Sequence, residues 1–337
     1  MARKILIVTG EHDSTADLMV LHLRQRSVPF ERFHPQDVPR DARVTLRFGP
    51  DHPPIGRARA FADAFDWSEI GAVWYRRPEP FSLSASLSAE EREFAYHECT
   101  SVMQGTWRSF DAFWVNHPDR IRIAESKPLQ LTIAGRLGFV LPRTVFTNDS
   151  DEVRALWDAC GGRIVYKSMT QGVLGQSLQQ SVYTNRVGED HLARADLLRN
   201  APGLFQEEIA KTADLRITVI GDRLFPVEIR SQNDPDATVD WRRGEVPRMD
   251  HVPAILPKQV EAACLALNRA LGLHYSAIDM VLTPEGEHIF LEVNPSGQFG
   301  WIESVTGLPM IESLADLLVA GAAEGRIDRP WLDPSET

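Results

Sequence analysis

Ile289-Phe290-Leu291-Glu292-Val293-Asn294-Pro295 is the stretch from which the fold can be read. In an extended chain Glu292 and Asn294 project to one face and Val293 to the other. The turn Thr283-Pro284-Glu285-Gly286 separates it from an earlier extended run, 277–282, and together they predict a β-hairpin. That earlier strand carries Asp279 inside the mostly apolar Ser276-Ala277-Ile278-Asp279-Met280-Val281. A carboxylate there needs a partner, because an unpaired buried charge is costly. Two oxygen ligands at i and i+2 beside a third on the next strand suit a hard cation such as magnesium. The plainer alternative is a solvated hairpin face with ordinary edge charges.

Upstream, Val260, Cys264, Leu267 and Leu271 are spaced as one face of an amphipathic helix over 257–271. Extended runs are expected at 204–209, 215–220 and 223–230, and a last helix at 311–323. Phe205-Gln206-Glu207-Glu208-Ile209, then Asp214-Leu215-Arg216, joins two strands through a polar turn. Acidic groups there can hold ribose hydroxyls and the backbone can read an adenine edge; the alternative is a hairpin with solvated charges. Arg216, Arg230, Arg242 and Arg243 alternate with carboxylates, and arginine forks bind phosphate or carboxylate through two parallel bonds. Lysine is scarce, occurring only at Lys4, Lys127, Lys167, Lys211 and Lys258. Where arginine is the default cation, a lysine marks a site that wants a compact ammonium. Lys167 ends an extended run and precedes Ser168-Met169-Thr170-Gln171-Gly172-Val173-Leu174-Gly175. A lysine beside flexible backbone amides can hold phosphate oxygens. The chain has no G-x-x-x-x-G-K-[ST], which excludes a P-loop. The plainer alternatives are a snorkelling lysine at a strand end and, for Lys127, a solvated helix residue.

Lys4-Ile5-Leu6-Ile7-Val8 is an unbroken apolar run, as a buried parallel strand would be, and a helical stretch with Leu18, Leu21 and Leu23 follows. Glu11-His12-Asp13 lies where a site after a strand would be, but without G-x-G-x-x-G a dinucleotide site is disfavoured. Polar, Pro-rich sequence fills 34–57, and Ala72-Val73-Trp74-Tyr75 is a strand stopped by Arg76-Arg77-Pro78. Residues 88–110 are helical, opened by a capping box from Ser88 to Glu91. A helix carrying Lys127 is expected from Ala124 to Leu137, extended chain at 139–146, a helix from Ser150 to Ala159, and short strands at 177–187.

Composition narrows the class. The 337 residues, 43% apolar and 25% charged, match ordinary globular usage and suffice for two or three domains. A net charge of −11 argues against a broadly basic nucleic-acid binder, while leaving room for a local cationic cleft. Neither a membrane span nor a signal sequence is expected, and the isolated Cys99, Cys160 and Cys264 encode no disulfide framework. A cytoplasmic location is expected.

Taken in order, Lys127, Lys167 with its Gly loop, Gln206-Glu207-Glu208-Ile209, Asp214-x-Arg216, Asp240-Trp241-Arg242, Asp279 and Glu292-x-Asn294 resemble the ATP-grasp ligases. The C-terminal half is similar to the ligase that adds glutamates to ribosomal protein S-six. Val73-Trp74-Tyr75-Arg76-Arg77-Pro78 resembles the graspetide (microviridin-type) peptide maturases, a likeness that would cover nearly the whole chain. The resemblance implies a mixed α/β and α+β fold in three parts: an N-terminal α/β domain over 1–118, a central lid domain over 119–203 and a C-terminal α+β domain over 204–326, then a tail over 327–337. It implies ATP between the last two, with Lys127 and Lys167 on its phosphates, the Glu207-Glu208-Ile209 backbone on adenine and Asp214 in the nucleotide pocket. Asp279, Glu292 and Asn294 would hold magnesium, and Arg216, Arg230 and Arg242 would face the γ-phosphate and the carboxylate being activated. Glu208 departs from the aromatic or apolar residue common in relatives.

The implied reaction makes an acyl phosphate from an Asp or Glu side chain, which a Ser or Thr hydroxyl or a Lys amine then captures. The implied partner is a precursor peptide with a leader and an acidic core, the leader docking near 177–187. Neither nucleic acid nor a membrane is an expected partner, and a homodimer is left open. Two alternatives stand beside this reading: an amino acid or glutamate ligase acting on a peptide terminus or small amine, and an ATP-binding scaffold without catalysis.

Overall fold

The computed structural model describes residues 3–50, 52–60, 63–169, 173–174, 180–181 and 183–325. β1 (Lys4–Val8) leads into α1 (Ser14–Gln25), whose N-cap is Asp13; its carboxylate accepts from Thr15 N and Ala16 N. Glu11-His12-Asp13 therefore opens a helix. The buried face of α1 is Ala16, Met19 and Leu23, while Leu18 and Leu21, expected on that face, point to solvent. β2 (Phe30–Phe33) pairs with β1 in parallel.

The Pro-rich stretch 34–57, to which no element was assigned, holds β3 (Ala42–Gly49) and most of β4 (His52–Ala60), which form an antiparallel ribbon with β5 (Asp63–Asp66). Its signal was the alternation of Val44 and Leu46, which pack with Phe65 and Trp67, against exposed Arg43, Thr45 and Arg47. β6 (Ile70–Tyr75) and β7 (Phe113–Val115) complete a parallel sheet of order β2-β1-β6-β7. Between them runs α2 (Ala89–Ser109), opened by the expected capping box of Ser88 and Glu91.

Two helices, α3 (Pro118–Ala124) and α4 (Lys127–Arg136), stand where one was expected. In a continuous helix the Pro128 ring would clash with the Ala124 carbonyl and give it no donor. That carbonyl accepts Gln130 Nε2 instead, at 2.6 Å. The central part has β8 (Thr144–Thr147), α5 (Ser150–Ala159), β9 (Ile164–Lys167), a short pair β10 (Val173–Leu174) and β11 (Gln180–Ser181), β12 (Asn185–Arg186), α6 (Glu189–Leu192) and β13 (Gly203–Glu207). They build an antiparallel sheet of order β12-β9-β13-β8, backed by Val153 and Leu156 of α5. Residues 170–172 and 175–179 of the Gly loop region, and the tail 327–337, lie outside the described residues.

The largest sheet is antiparallel: β14 (Ala213–Ile220), β15 (Arg223–Ile229), β16 (His251–Pro253), β17 (Tyr275–Leu282) and β18 (His288–Asn294), in the order β16-β15-β14-β17-β18. One face, with Leu215, Ile217, Val219, Ile278 and Met280, packs on α7 (Lys258–Leu271) and on Ala134 of α4. α8 (Gly300–Thr306) and α9 (Met310–Glu324) follow, and α9 packs Leu314, Ala315 and Leu318 on Ile5, Ile7, Trp74 and Phe113 of the parallel sheet. Among the described residues no helix is long and apolar enough to cross a membrane. Cys99, Cys160 and Cys264 are free and buried.

Candidate active site

The polar face of the large sheet carries the site. Its register aligns Arg216 of β14 with Asp279 of β17, and Asp279 with Glu292 of β18. Residues opposite one another on a single face are cross-strand neighbours, so the three form a row. Next to it Met280 faces Phe290, which leaves Leu291 as the extra residue of a β-bulge. Arg216 Nη1 donates to both oxygens of Asp279, at 2.9 and 2.8 Å. Glu292 accepts from Lys127 Nζ. Lys127 is delivered by the start of α4, and Gln130 one turn on clamps that helix to β18, its Nε2 donating to Val293 O (2.9 Å) and its Oε1 accepting from Val293 N (3.1 Å).

Lys167, at the end of β9, donates to Gln206 Oε1 at 2.7 Å, and Gln206 donates in turn to Thr144 Oγ1. Glu207 Oε2 accepts from Arg143 N, and Glu208 pairs with Arg186 of β12 at 2.7 Å. Ile209 follows, half-buried. Asp214 is buried, with Lys211 Nζ donating to both its oxygens and Ser231 Oγ donating at 2.6 Å. Arg242 lies in a turn beyond β15, where its guanidinium donates to both oxygens of buried Asp240 (2.8 and 2.6 Å). Arg230 stands apart from the row in its contacts. Half its side chain is exposed, and it donates to Glu228 Oε1 at 3.1 Å.

Burial pushes the Asp279 carboxyl up; Arg216 pulls it down and the neighbouring Glu292 charge pushes it up again. Burial also acts upward on Glu292, but Lys127 and Lys167 prevail and hold it at about 2. Burial brings the Lys167 ammonium down to about 8, helped by Lys127 and Arg242 and opposed by Glu292. Asp240, despite burial, is held at about 2 by Arg242 and the Thr184 amide. Two carboxylates facing each other across strands, one pushed up by the other, form an oxygen pair that a hard cation would neutralise. Among the described residues no three His, Cys, Asp or Glu side chains gather as a metal cluster. A third protein oxygen can come from Asn294, whose Oδ1 accepts Ser296 N at 2.9 Å. The donors present thus fit magnesium.

Sequence reasoning brought Lys127, Lys167, Arg216, Asp279 and Glu292 forward and missed the residues that hold them. Gln130 and Gln206 gave no local signal as holders, because Val293 and Lys167 are distant in the chain; Asp240 holds Arg242 two residues on, and only its bond to Thr184 is distant. Lys211 did carry a signal, as one of only five lysines.

A family model for the MvdD pre-ATP grasp domain matches residues 4–122. The structure is similar to that of the macrocyclase MdnC of Microcystis aeruginosa MRC, solved bound with precursor peptide MdnA: 29% identity, TM-score 0.84, covering 94% of this chain and 99% of that one. It is similar also to a Chryseobacterium gregarium RiPP-associated ATP-grasp ligase, solved with ADP and a leader and core peptide: 30% identity, TM-score 0.88, covering 94% of this chain and 97% of that one. The "Probable alpha-L-glutamate ligase" of Pseudoalteromonas translucida is 23% identical over 253 residues, 74% of this chain and 81% of that protein. With a likeness that runs through every part of the chain, this protein belongs to the RiPP-associated ATP-grasp ligases.

Proposed function

We propose that the protein is an ATP-dependent ligase that activates Asp or Glu side chains of a ribosomal precursor peptide and joins them to Ser or Thr hydroxyls or Lys amines, closing side-chain macrocycles. The observation that carries this reading is the row Arg216–Asp279–Glu292–Lys127, with Lys167 electrostatically linked to it. It sets three cations around two carboxylates on one sheet face. Lys127 and Lys167 would exchange Glu292 and Gln206 for phosphate oxygens. The backbone of Glu207, Glu208 and Ile209 would read adenine, with Asp214 in the nucleotide pocket. The Glu208 side chain is engaged by Arg186, and the Glu207 and Glu208 amides donate to Arg143 O and Arg163 O, so the adenine edge would be read by their carbonyls and the Ile209 amide. Arg216, Arg242 and, after reorientation, Arg230 would steer the incoming carboxylate to the γ-phosphorus.

Magnesium held by Asp279, Glu292 and Asn294 would offset the repulsion between a triphosphate and that carboxylate. The carboxylate oxygen bonds to the γ-phosphorus as the bond to ADP breaks. The hydroxyl or amine then bonds to the acyl carbon, inorganic phosphate leaves, and the nucleophile's proton passes to phosphate or solvent. A leader segment docked on the central part, near 177–187, would raise the effective concentration of the core at this site.

The test is ADP release and mass spectrometry with candidate acidic peptides taken from short reading frames neighbouring the gene. Water losses matched by ADP are expected. Asp279→Asn and Glu292→Gln keep shape and lose charge, and each should cut ligation at least about a hundredfold, roughly 2.7 kcal/mol. A gain of glutamate mass instead would favour the glutamate ligase reading, to which the Pseudoalteromonas likeness lends support. No ADP release with any acidic peptide would leave the scaffold reading.

A further inference from the structure

Arg76, the first arginine of Arg76-Arg77-Pro78, has no part in the chemistry above. It follows β6 and is 2% exposed. Its Nη1 donates to Ser296 O at 2.7 Å and to Gly297 O at 3.0 Å, and its Nε lies 3.4 Å from Asp13 Oδ2. Both carbonyls belong to the loop that directly follows β18. The rest of that loop is held in the same manner. Pro295 O accepts Asn116 Nδ2 at 3.0 Å, Gly297 O also accepts the Tyr275 hydroxyl at 2.6 Å, and Gln298 O accepts Arg216 Nη2 at 3.4 Å. Every carbonyl from 295 to 298 is therefore pinned by a side chain. Arg76 and Asn116 reach it from the N-terminal part; Tyr275 and Arg216 reach it from the large sheet.

The packing leaves the loop no slack. A Cβ on Gly297 would stand 2.5 Å from the Ala277 Cβ and 2.6 Å from Arg216 Nη2. The loop backbone thus lies directly against the guanidinium that holds Asp279. Arg76 Nη2 is buried with no partner among the described residues. An unmet buried donor is destabilising, so this arginine is not placed for stability alone. Both carbonyls are met by the single Nη1, while Nε of the same planar group faces Asp13, so the rigid guanidinium spans the loop on one side and α1's cap on the other.

We infer that Arg76 is a positioning residue: from the N-terminal part it fixes the 295–298 loop as a clasp that sets Arg216, and with it Asp279 and Asn294. The inference rests on the ligase reading for what Asp279 and Asn294 hold. A displaced loop would let Arg216 turn, release Asp279 from its orientation and shift Asn294 at the loop's start. Nucleotide contacts made by Lys167 and the central sheet would be spared.

The test uses the full chain carrying Arg76→Lys, which keeps the charge and loses the planar group that spans Asp13 and the two loop carbonyls. Amide hydrogen exchange over 296–301 should quicken at least about tenfold while the amides of β14 and β17 change less than about twofold. In calorimetric titrations with ADP, the magnesium concentration for half-maximal effect should rise at least about fivefold, with metal-free ADP affinity held within about twofold. Asp13→Asn keeps the α1 cap and removes the anion beside Arg76. It should move both readouts the same way by less, and it decides the matter if Arg76→Lys does not fold. A folded variant with exchange and magnesium requirement both unchanged would overturn the inference, as would an equal loss of metal-free affinity. If magnesium has no effect on ADP binding by the unaltered protein, the metal reading falls, and exchange over 296–301 still judges the clasp.

Discussion

Lys167 is where the electrostatics of the site can be read in solution. Burial lowers its ammonium from 10.5 to about 8, with Lys127 and Arg242 adding to the effect. Between those values the folded state binds fewer protons than the unfolded chain. The residue therefore burdens the folded state most below about pH 8, and the burden fades as pH rises toward 10.5. Phosphate oxygens favour the charged form. Nucleotide binding above about pH 8 should thus take up a proton, and ADP affinity should fall by up to about tenfold per pH unit from there upward. Lys167→Arg stays charged throughout and should flatten the profile. Calorimetry in buffers of different ionisation enthalpy reads the proton uptake directly. The same slope in the variant would separate Lys167 from the phosphates.

At the scale of elements, the hairpin of β17 and β18 was legible because alternation and a Pro-Gly turn are local signals. The bulge at Leu291, which brings Glu292 opposite Asp279, left no mark in the sequence. Register between strands is set by long-range packing, so the pairing of Arg216 with Asp279 was legible neither in the sequence nor in the resemblance. The break between α3 and α4 was legible in Pro128 and was overlooked. The site's second attachment to the central sheet was not legible at all. Asp240 Oδ2 accepts Thr184 N at 3.0 Å, and Arg243 donates to Thr184 O (3.2 Å) and Asn185 Oδ1 (2.5 Å), its guanidinium 5.4 Å from the centre of the Tyr183 ring. The turn at 241–243 thus latches the start of β12 to the large sheet. Arg243→Ala should quicken amide exchange over 184–187 about five- to tenfold while leaving β14 and β17 protected. Unchanged exchange there would mean that Asp240 alone holds the two parts together.

At the scale of the whole molecule, the apolar layers do not follow chain order. α4 comes from the middle of the chain and backs the large sheet, while α9 comes from the end and closes the first one. The fit of α9 is close. A Cβ on Gly321 would stand 2.1 Å from Phe113 Cδ1, and one on Gly71 of β6 would stand 2.9 Å from the Ala322 Cβ. Leu314 and Leu318 are fully buried in the same layer as Ile5, Trp74 and Phe113. The two ends of the chain therefore share one core, and the clasp from Arg76 to the 295–298 loop spans the same junction. This arrangement predicts that the parallel sheet and the large sheet lose structure together. Leu314→Ala should cost about 2–5 kcal/mol, as buried leucine truncations do. In urea, tryptophan fluorescence, half of whose eight sources (Trp67, Trp74, Trp107 and Trp114) lie on the parallel-sheet side, should report the same midpoint as loss of magnesium-dependent ADP binding. Both should shift by the same amount in Leu314→Ala. If fluorescence moves to lower urea while ADP binding stays where it was, the parallel sheet unfolds on its own. The N-terminal part would then be an attachment to the ligase sheet, and Arg76 could not serve as its anchor.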